Sequence, residues 1–183
     1  TGRIKIEAGQ IHLIDGGAIY NATLGLGNSD AILINVDDEL TISGGFDMPW
    51  QEPDLERFRF LPSGIFAVSG GVEANTGNSG QIEIRANQII LKNGGQINND
   101  TYGSGNGGSI NVFVTDTLKA EGKHARDNFI YFSGIRSGSR NNADYAGKAG
   151  NLLIEANRII LNEEAELSTE ATNAEGGNIT IVT

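Results

Sequence analysis

The chain contains no cysteine, only three prolines and few aromatic residues, which make up 7% of its 183 residues. The lack of cysteine excludes disulfide bonds, thiol chemistry and cysteine–zinc sites. No apolar run approaches the ~20 residues of a membrane-spanning helix and no signal peptide opens the chain, so we expect no membrane insertion. Basic residues are also scarce, 13 against 23 acidic ones, and a net charge of −10 disfavours binding to nucleic acid.

Glycine, in contrast, is abundant: its 26 residues are about twice the usual share of roughly 7%. The glycines mark an internal repeat, because segment 80–91 (GQIEIRANQIIL) returns as segment 150–161 (GNLLIEANRIIL). Repeats without an insertion are 27 to 29 residues long, a period typical of solenoid proteins. Repeats 1 to 6 begin near Gly2, Ala31, Gly80, Gly108, Gly150 and Gly177.

Each repeat is interpreted as three short strands. Apolar residues two apart, such as Ile82, Ile84 and Ala86, indicate first strands with one buried side. Second strands follow at positions such as Ile89, and third strands begin at positions such as Ile97. Three strands in about 28 residues cannot all find hairpin partners, so each is expected to stack on the matching strand of the next repeat. We therefore predict an all-β fold, a right-handed parallel β-helix with three sheets and about five to six coils.

The turn between first and second strands fits this register. Gly9, Asn87 and Asn157 lie there, and these residue types favour left-handed turns, with stacked side-chain ladders.

Two insertions interrupt the repeat, at 46–63 and 123–133, both between second and third strands. Insertions at one junction of a solenoid project from one side. At a strand spacing of ~4.8 Å the two are about 10 Å apart, close enough to touch.

Glycine–asparagine motifs occupy the turns before first strands. They read GNSGQI at 77–82, GNGGSI at 105–110 and GGNITI at 176–181. This pattern resembles the repeats of filamentous-haemagglutinin-like large exoproteins, a family of bacterial adhesins exported by two-partner secretion. The resemblance covers nearly all of the chain outside the two insertions.

The resemblance implies a non-catalytic structural and adhesive stalk, located outside the cell or on the outer surface of a Gram-negative-type bacterium. It implies an outer-membrane barrel transporter as partner of the full-length protein. The adhesive ligand would be a host surface, a glycan or a neighbouring cell. Because the first residues already belong to a repeat, we expect residues 1–183 to be a single β-helix domain cut from a longer exoprotein.

The insertions break the repeat rule, and aromatic residues with arginine are typical binding anchors. The first insertion holds the only tryptophan, the only methionine and all three prolines. Alternatively, the aromatic residues pack on each other and cover the flank of the sheets. The candidate partner-binding residues are Trp50, Arg57, Phe58, Arg59, Phe60, Lys123, Arg126, Phe129 and Tyr131.

Two other functions stay open. Pectin-degrading enzymes use the same coil, so a polysaccharide lyase or hydrolase with a cleft at the insertions is one alternative. The other is a self-association module, because first and last strands leave edges open for end-to-end stacking. Glu7 and Glu155 on outward positions have three coils between them, too far to share a proton or a metal ion. No catalytic, cofactor or metal site is therefore predicted.

Overall fold

Strands that occupy matching places in successive repeats lie side by side. The computed structural model of the chain describes residues 2–47, 60–71, 74–126 and 129–183, and every regular element within them is a β-strand. Two large sheets contain parallel pairs, and two short antiparallel hairpins complete the set. The predicted all-β fold with stacked parallel strands is therefore confirmed. In this part of the chain no helix is long and apolar enough to cross a membrane.

The first sheet has eight strands, and its register follows the repeat. Ile84 pairs with Ile34 on one side and with Val112 on the other, and all three side chains are buried. They share one face because successive residues of a strand point to opposite sides. The strands are β1 (Ile4–Ala8), β2 (Ile11–Ile14), β4 (Ile32–Val36), β5 (Glu39–Ser43), β9 (Ile82–Lys92), β11 (Ile110–Glu121), β15 (Leu152–Asn162) and β17 (Ile179–Val182).

The second sheet has five parallel strands, formed by the predicted third strands. Ile97 pairs with Ile65 and with Ile135, and these buried side chains join those of the first sheet in one apolar core. The repeat therefore places its apolar columns in the interior between the two sheets. The strands are β3 (Ala18–Thr23), β8 (Gly64–Ser69), β10 (Gln96–Asn98), β14 (Gly134–Arg136) and β16 (Glu166–Ser168).

The corner between first and second strands differs from the prediction. β9, β11 and β15 run through both positions, so the two predicted sheets are joined into one. Gly9, Asn87 and Asn157 do not have the left-handed φ predicted for them, because Asn87 and Asn157 lie within continuous strands and Gly9 lies at a bend of ordinary φ. β11 takes up its extra residue as a bulge. The predicted ladder does form: the Thr115 hydroxyl donates to Asn87 Oδ1 at 2.9 Å, and Asn157 Nδ2 donates to the Thr115 carbonyl at 2.6 Å.

The left-handed residues lie instead between second and third strands. Repeats 1, 3 and 5 have two-residue turns, with φ of 50° and 88° at Asp15 and Gly16 and 54° and 86° at Asn93 and Gly94. The corresponding turn of repeat 5 is formed by residues 163–164. In repeats 2 and 4 the second strand is followed instead by a single left-handed glycine, at positions 44 and 122. Both insertions therefore start from the same backbone feature.

The glycine–asparagine motifs link successive repeats. Asn28 Oδ1 accepts from the amide of Asn78 at 2.9 Å, and Asn78 Oδ1 accepts from the amide of Asn106 at 2.7 Å. Asn106 Oδ1 in turn accepts from the amide of Lys148 at 2.9 Å. Each asparagine thus satisfies a turn amide of the next repeat, which would otherwise lack a strand partner.

Candidate functional site: the paired hairpins

The two segments predicted as insertions contain hairpins at equivalent places. Hairpin 1 consists of β6 (Gly45–Asp47) and β7 (Phe60–Pro62). Hairpin 2 consists of β12 (Lys123–Arg126) and β13 (Phe129–Phe132). We call these four strands the paired hairpins.

Both hairpins are closed at the base by the same hydrogen bonds. The serine after each hairpin donates its amide to the carbonyl of the left-handed glycine before it, from Ser63 to Gly44 at 2.9 Å and from Ser133 to Gly122 at 3.0 Å. The hydroxyl of the same serine accepts from a turn amide of the preceding repeat, from Gly16 at 3.0 Å and from Gly94 at 2.9 Å. The backbone therefore leaves the repeat and returns to it with the same set of hydrogen bonds at both hairpins.

The hairpins contact each other across the turn of repeat 3. The Phe60 ring stacks on the imidazole of His124, with centroids 3.9 Å apart and planes 4° apart. The Tyr131 ring meets Phe60 at a tilt, with centroids 4.7 Å apart, and Phe60 is only 4% exposed. A Cβ on Gly94 would lie 2.8 Å from the Cβ of His124, so hairpin 2 lies against the turn of repeat 3. The hairpins thus form one packed unit that bridges repeats 2 and 4.

Polar contacts support this packing. His124 Nε2 is buried without a hydrogen-bond partner and lies 3.7 Å from Asp47 Oδ1 of hairpin 1. On the other side of hairpin 2, Lys123 Nζ is 2.6 Å from Glu164 Oε2 in the turn of repeat 5. Burial raises the pKa of the Tyr131 phenol, so this side chain stays neutral where it packs. Hairpin 2 is therefore held by both of its neighbours along the stack.

The structure places the candidate residues in different surroundings. Phe60 and Tyr131 pack between the hairpins, and Lys123 is engaged in its ion pair. Phe129, in contrast, is 43% exposed at the end of hairpin 2, where it pairs in register with Arg126. The other four candidates lie outside the described residues: Trp50, Arg57, Phe58 and Arg59.

Both hairpins also carry exposed apolar side chains. Phe46 and Leu61 face each other across hairpin 1, and Phe129 and Ile130 are neighbours in hairpin 2. These four side chains are between 43% and 52% exposed, and Phe129 and Ile130, as consecutive residues of a strand, point to opposite sides of hairpin 2, so each side presents an apolar side chain. Sequence reasoning did not select Leu61, Ile130 or His124. The sequence did contain a signal for Leu61 and Ile130. A strand buried on one side alternates apolar and polar residues, so apolar residues at consecutive positions indicate that some of them are exposed.

Carboxylates on the outward face of the first sheet pair with basic residues. Glu7 lies 2.7 Å from Lys5, whose hydrogen bond and charge lower the pKa of Glu7. Glu83 lies 3.1 Å from Arg85, whose guanidinium is 4.1 Å above the centroid of the Phe113 ring. A general acid needs a raised pKa, the opposite of what Lys5 does to Glu7. Among the described residues, no three histidine, aspartate or glutamate side chains are grouped as a metal site.

Comparison of the chain with protein-family models, with curated proteins and with solved structures finds no match. A function must therefore be argued from the residues and contacts of the chain itself.

Proposed function

We propose that the chain is a segment of a right-handed parallel β-helix that serves as the structural and adhesive stalk of an exported bacterial exoprotein. The parallel register of the two large sheets supports the β-helix, because matching strands of all six repeats pair in order. Right-handed connections are the rule between parallel strands. The glycine–asparagine repeats support export, since they resemble those of filamentous-haemagglutinin-like exoproteins. The proposal includes an outer-membrane barrel transporter for the full-length protein and a location outside the cell or on its surface.

The paired hairpins carry the adhesive part of the proposal. They depart from a regular stack at one junction, and the contact of Phe60 with His124 and Tyr131 fixes them to each other. A contact surface gains affinity when it is rigid before binding, because little conformational freedom is then lost. The exposed residues of this rigid unit include Phe129 and Ile130, which are available to a partner. The proposed role is non-catalytic binding to a host or neighbouring cell surface.

Cell binding by purified chain tests this proposal. Fluorescently labelled chain is incubated with cultured epithelial cells and with Gram-negative bacterial cells, and retention is measured by flow cytometry. The variant Phe129→Ser/Ile130→Ser removes the exposed apolar pair of hairpin 2, and Leu26→Ser removes an equally apolar, exposed side chain far from it in sequence. We expect saturable retention that falls at least tenfold in the double variant and is unchanged in the control.

Two outcomes contradict the proposal. One is a wild-type chain that is retained by neither cell type. The other is a double variant that binds as well as wild type while its melting temperature is unchanged. The melting temperature of each variant is measured in parallel, so that a loss of folding is distinguished from a loss of contact.

A further inference from the structure

The outward face of the second sheet carries an aromatic and arginine cluster away from the hairpins. In this sheet the isoleucines point inward, so the residues that follow them point outward. Tyr20, Phe66, Asn98 and Arg136 are consecutive partners in register on this outward face. Beyond the ends of these strands, Thr101 pairs with Ser139 in an isolated parallel bridge, which places the next residues, at 102 and 140, beside each other. We call the tyrosine face the six residues Tyr20, Phe66, Asn98, Tyr102, Arg136 and Arg140.

Asp100 fixes the polar part of this face from beneath. Its carboxylate is fully buried and accepts from Arg136 Nη2 at 2.9 Å and from the amide of Gly138 at 2.8 Å. Asn98 Nδ2 donates to it at 3.3 Å, and Arg140 Nε lies 3.5 Å away. A buried carboxylate with several donors is a costly arrangement that holds those donors in fixed places. Two guanidinium groups are thereby set in position at the surface.

Two buried polar atoms of the tyrosine face have no partner. Asn98 is only 6% exposed, yet its Oδ1 accepts no hydrogen bond. Its neighbour in register, Arg136, has a buried Nε that donates none. Both atoms are closed off from solvent, so the polar groups that the face presents are the partly exposed guanidinium groups of Arg136 and Arg140.

Aromatic rings flank these polar groups. Tyr20 is 58% exposed and Tyr102 is 41% exposed, and the Tyr20 ring lies 6.0 Å from that of Phe66. Burial raises the pKa of Tyr102, Asp100 and Tyr20 raise it further, and the two arginines oppose this, so these groups share one neighbourhood. Both tyrosines therefore offer a neutral, flat apolar surface beside fixed hydrogen-bond donors. Sites for small polar ligands combine these features.

The charge of the region selects among polar ligands. Arg136 and Arg140 are balanced by Asp100 and by Glu170, whose Oε2 accepts from Arg140 Nη1 at 3.0 Å. The whole chain carries a net charge of −10, which repels polyanions such as nucleic acid, heparin or polyuronates. We propose that the tyrosine face binds a neutral oligosaccharide, whose pyranose rings stack on Tyr20 and Tyr102 and whose hydroxyls engage the partly exposed guanidinium groups of Arg136 and Arg140. This inference does not depend on the hairpins being adhesive.

Native gel electrophoresis in gels cast with polysaccharide tests this inference. The probes are soluble starch, galactomannan, yeast mannan and hydroxyethyl cellulose as neutral polymers, with polygalacturonate and heparin as polyanions. We expect retardation by at least one neutral polymer and by neither polyanion. The variant Tyr20→Ala/Tyr102→Ala should weaken the retarding interaction at least tenfold, while Tyr145→Ala, an exposed tyrosine outside the tyrosine face, should leave it unchanged.

Three results would overturn the inference: retardation by none of the neutral polymers, stronger retardation by a polyanion, or a double variant that is retarded like wild type. Circular dichroism checks that the variants fold, and the single variant Tyr20→Ser, at the more exposed ring, replaces the double variant if that fails to fold. The variant Phe129→Ser/Ile130→Ser separates the two proposals. If it alone loses retardation, the glycan site belongs to the hairpins and the tyrosine face does not bind.

Discussion

At the scale of the residue, two glycines lie where the backbone is left-handed and where a hairpin packs too closely to leave room for a Cβ. Gly94 has φ of 86°, and its missing Cβ leaves room for His124 of hairpin 2. Gly16 has φ of 88°, and a Cβ there would lie 2.7 Å from the Cβ of Phe46 in hairpin 1. The equivalent turn of repeat 5 has Glu164 at φ 66°. A side chain is therefore tolerated at this position, although a left-handed backbone is unfavourable for it.

This difference predicts opposite effects for two glycine substitutions. Gly94→Ala forces a Cβ into a left-handed position and against His124, and should destabilise the fold by about 2 kcal/mol or more. Gly9→Ala introduces a Cβ with nothing within 4 Å, at an ordinary φ, and should stabilise by about 0.4–1 kcal/mol. The measurement is the urea midpoint of unfolding. Equal shifts for the two variants would contradict the assignment of a crowded left-handed turn to Gly94 and of an open position with ordinary φ to Gly9.

The buried phenol of Tyr131 predicts a loss of stability at alkaline pH. Since burial raises its pKa, the folded state holds the proton more tightly than the unfolded state, whose tyrosines titrate near pH 10. The stabilising contribution is therefore complete below about pH 10 and is lost as the pH rises through the folded pKa. Tyr131→Phe should reduce the fall in melting temperature above about pH 10. Tyr145→Phe serves as control, and an unchanged pH profile of Tyr131→Phe would contradict the assignment.

The residue scale also shows where sequence reasoning failed. Asn87 and Asn157 were expected in left-handed turns because asparagine tolerates that conformation well. Their side chains instead bond to neighbouring repeats while the backbone remains extended. Asparagine is common both in left-handed turns and in side-chain ladders between repeats. The residue type alone therefore does not show whether it is there for its backbone conformation or for its side-chain hydrogen bond.

At the scale of the element, strands were predictable and the hairpins' contacts were not. Alternation with a period of two fixed which residues of β9 and β11 face the core, and the repeat fixed their register. The insertions have no such period. Whether they touch depends on the compact repeat between them, whose short turn lets Phe60 reach His124. The tyrosine face was missed because its residues, such as Asn98 and Arg136, lie in different repeats and meet only through the register of the second sheet.

The contact between the hairpins can be measured with a double-mutant cycle. Phe60→Ala and His124→Ala are made singly and together, and unfolding free energies are compared. We expect a coupling of about 0.5–1.5 kcal/mol, the usual range for stacked aromatic rings. Phe132→Ala combined with His124→Ala is the matched control, because no ring contact joins these two described residues. Additive effects of Phe60 and His124 would contradict a packed pair.

At the scale of the whole molecule, the core is deepest in the middle repeats. Ile84 and Val112 are fully buried, whereas residues of β17 are exposed throughout. In a linear stack, stability is shared mainly between nearest neighbours. Amide hydrogen exchange of this chain should therefore be slowest in β9 and β11 and fastest in β17. Uniform protection along the chain would contradict a stack whose stability comes mainly from contacts between adjacent repeats.

Substitution in the central core gives the largest expected effect. Ile84→Asp places a carboxylate among buried apolar side chains without a partner and should cost several kcal/mol, roughly the penalty of an unpaired buried polar group or more. Glu83→Ala, next in sequence, removes only a surface ion pair with Arg85, worth about 0–1 kcal/mol. Thermal unfolding of the two variants makes the comparison. Similar melting temperatures would contradict the assignment of Ile84 to the interior and of Glu83 to the surface.

The ring stack of Phe60 on His124 has a mechanical consequence. It ties repeat 2 to repeat 4 across repeat 3, in addition to the backbone bonds between adjacent strands. Under tension applied through the ends of the chain, these three repeats should resist as one unit and yield in one step. The step would release residues 31–149, a contour of about 40 nm at roughly 3.4 Å per residue. A chain held by such a contact does not unfold one repeat at a time, so the load is carried by a block of three repeats.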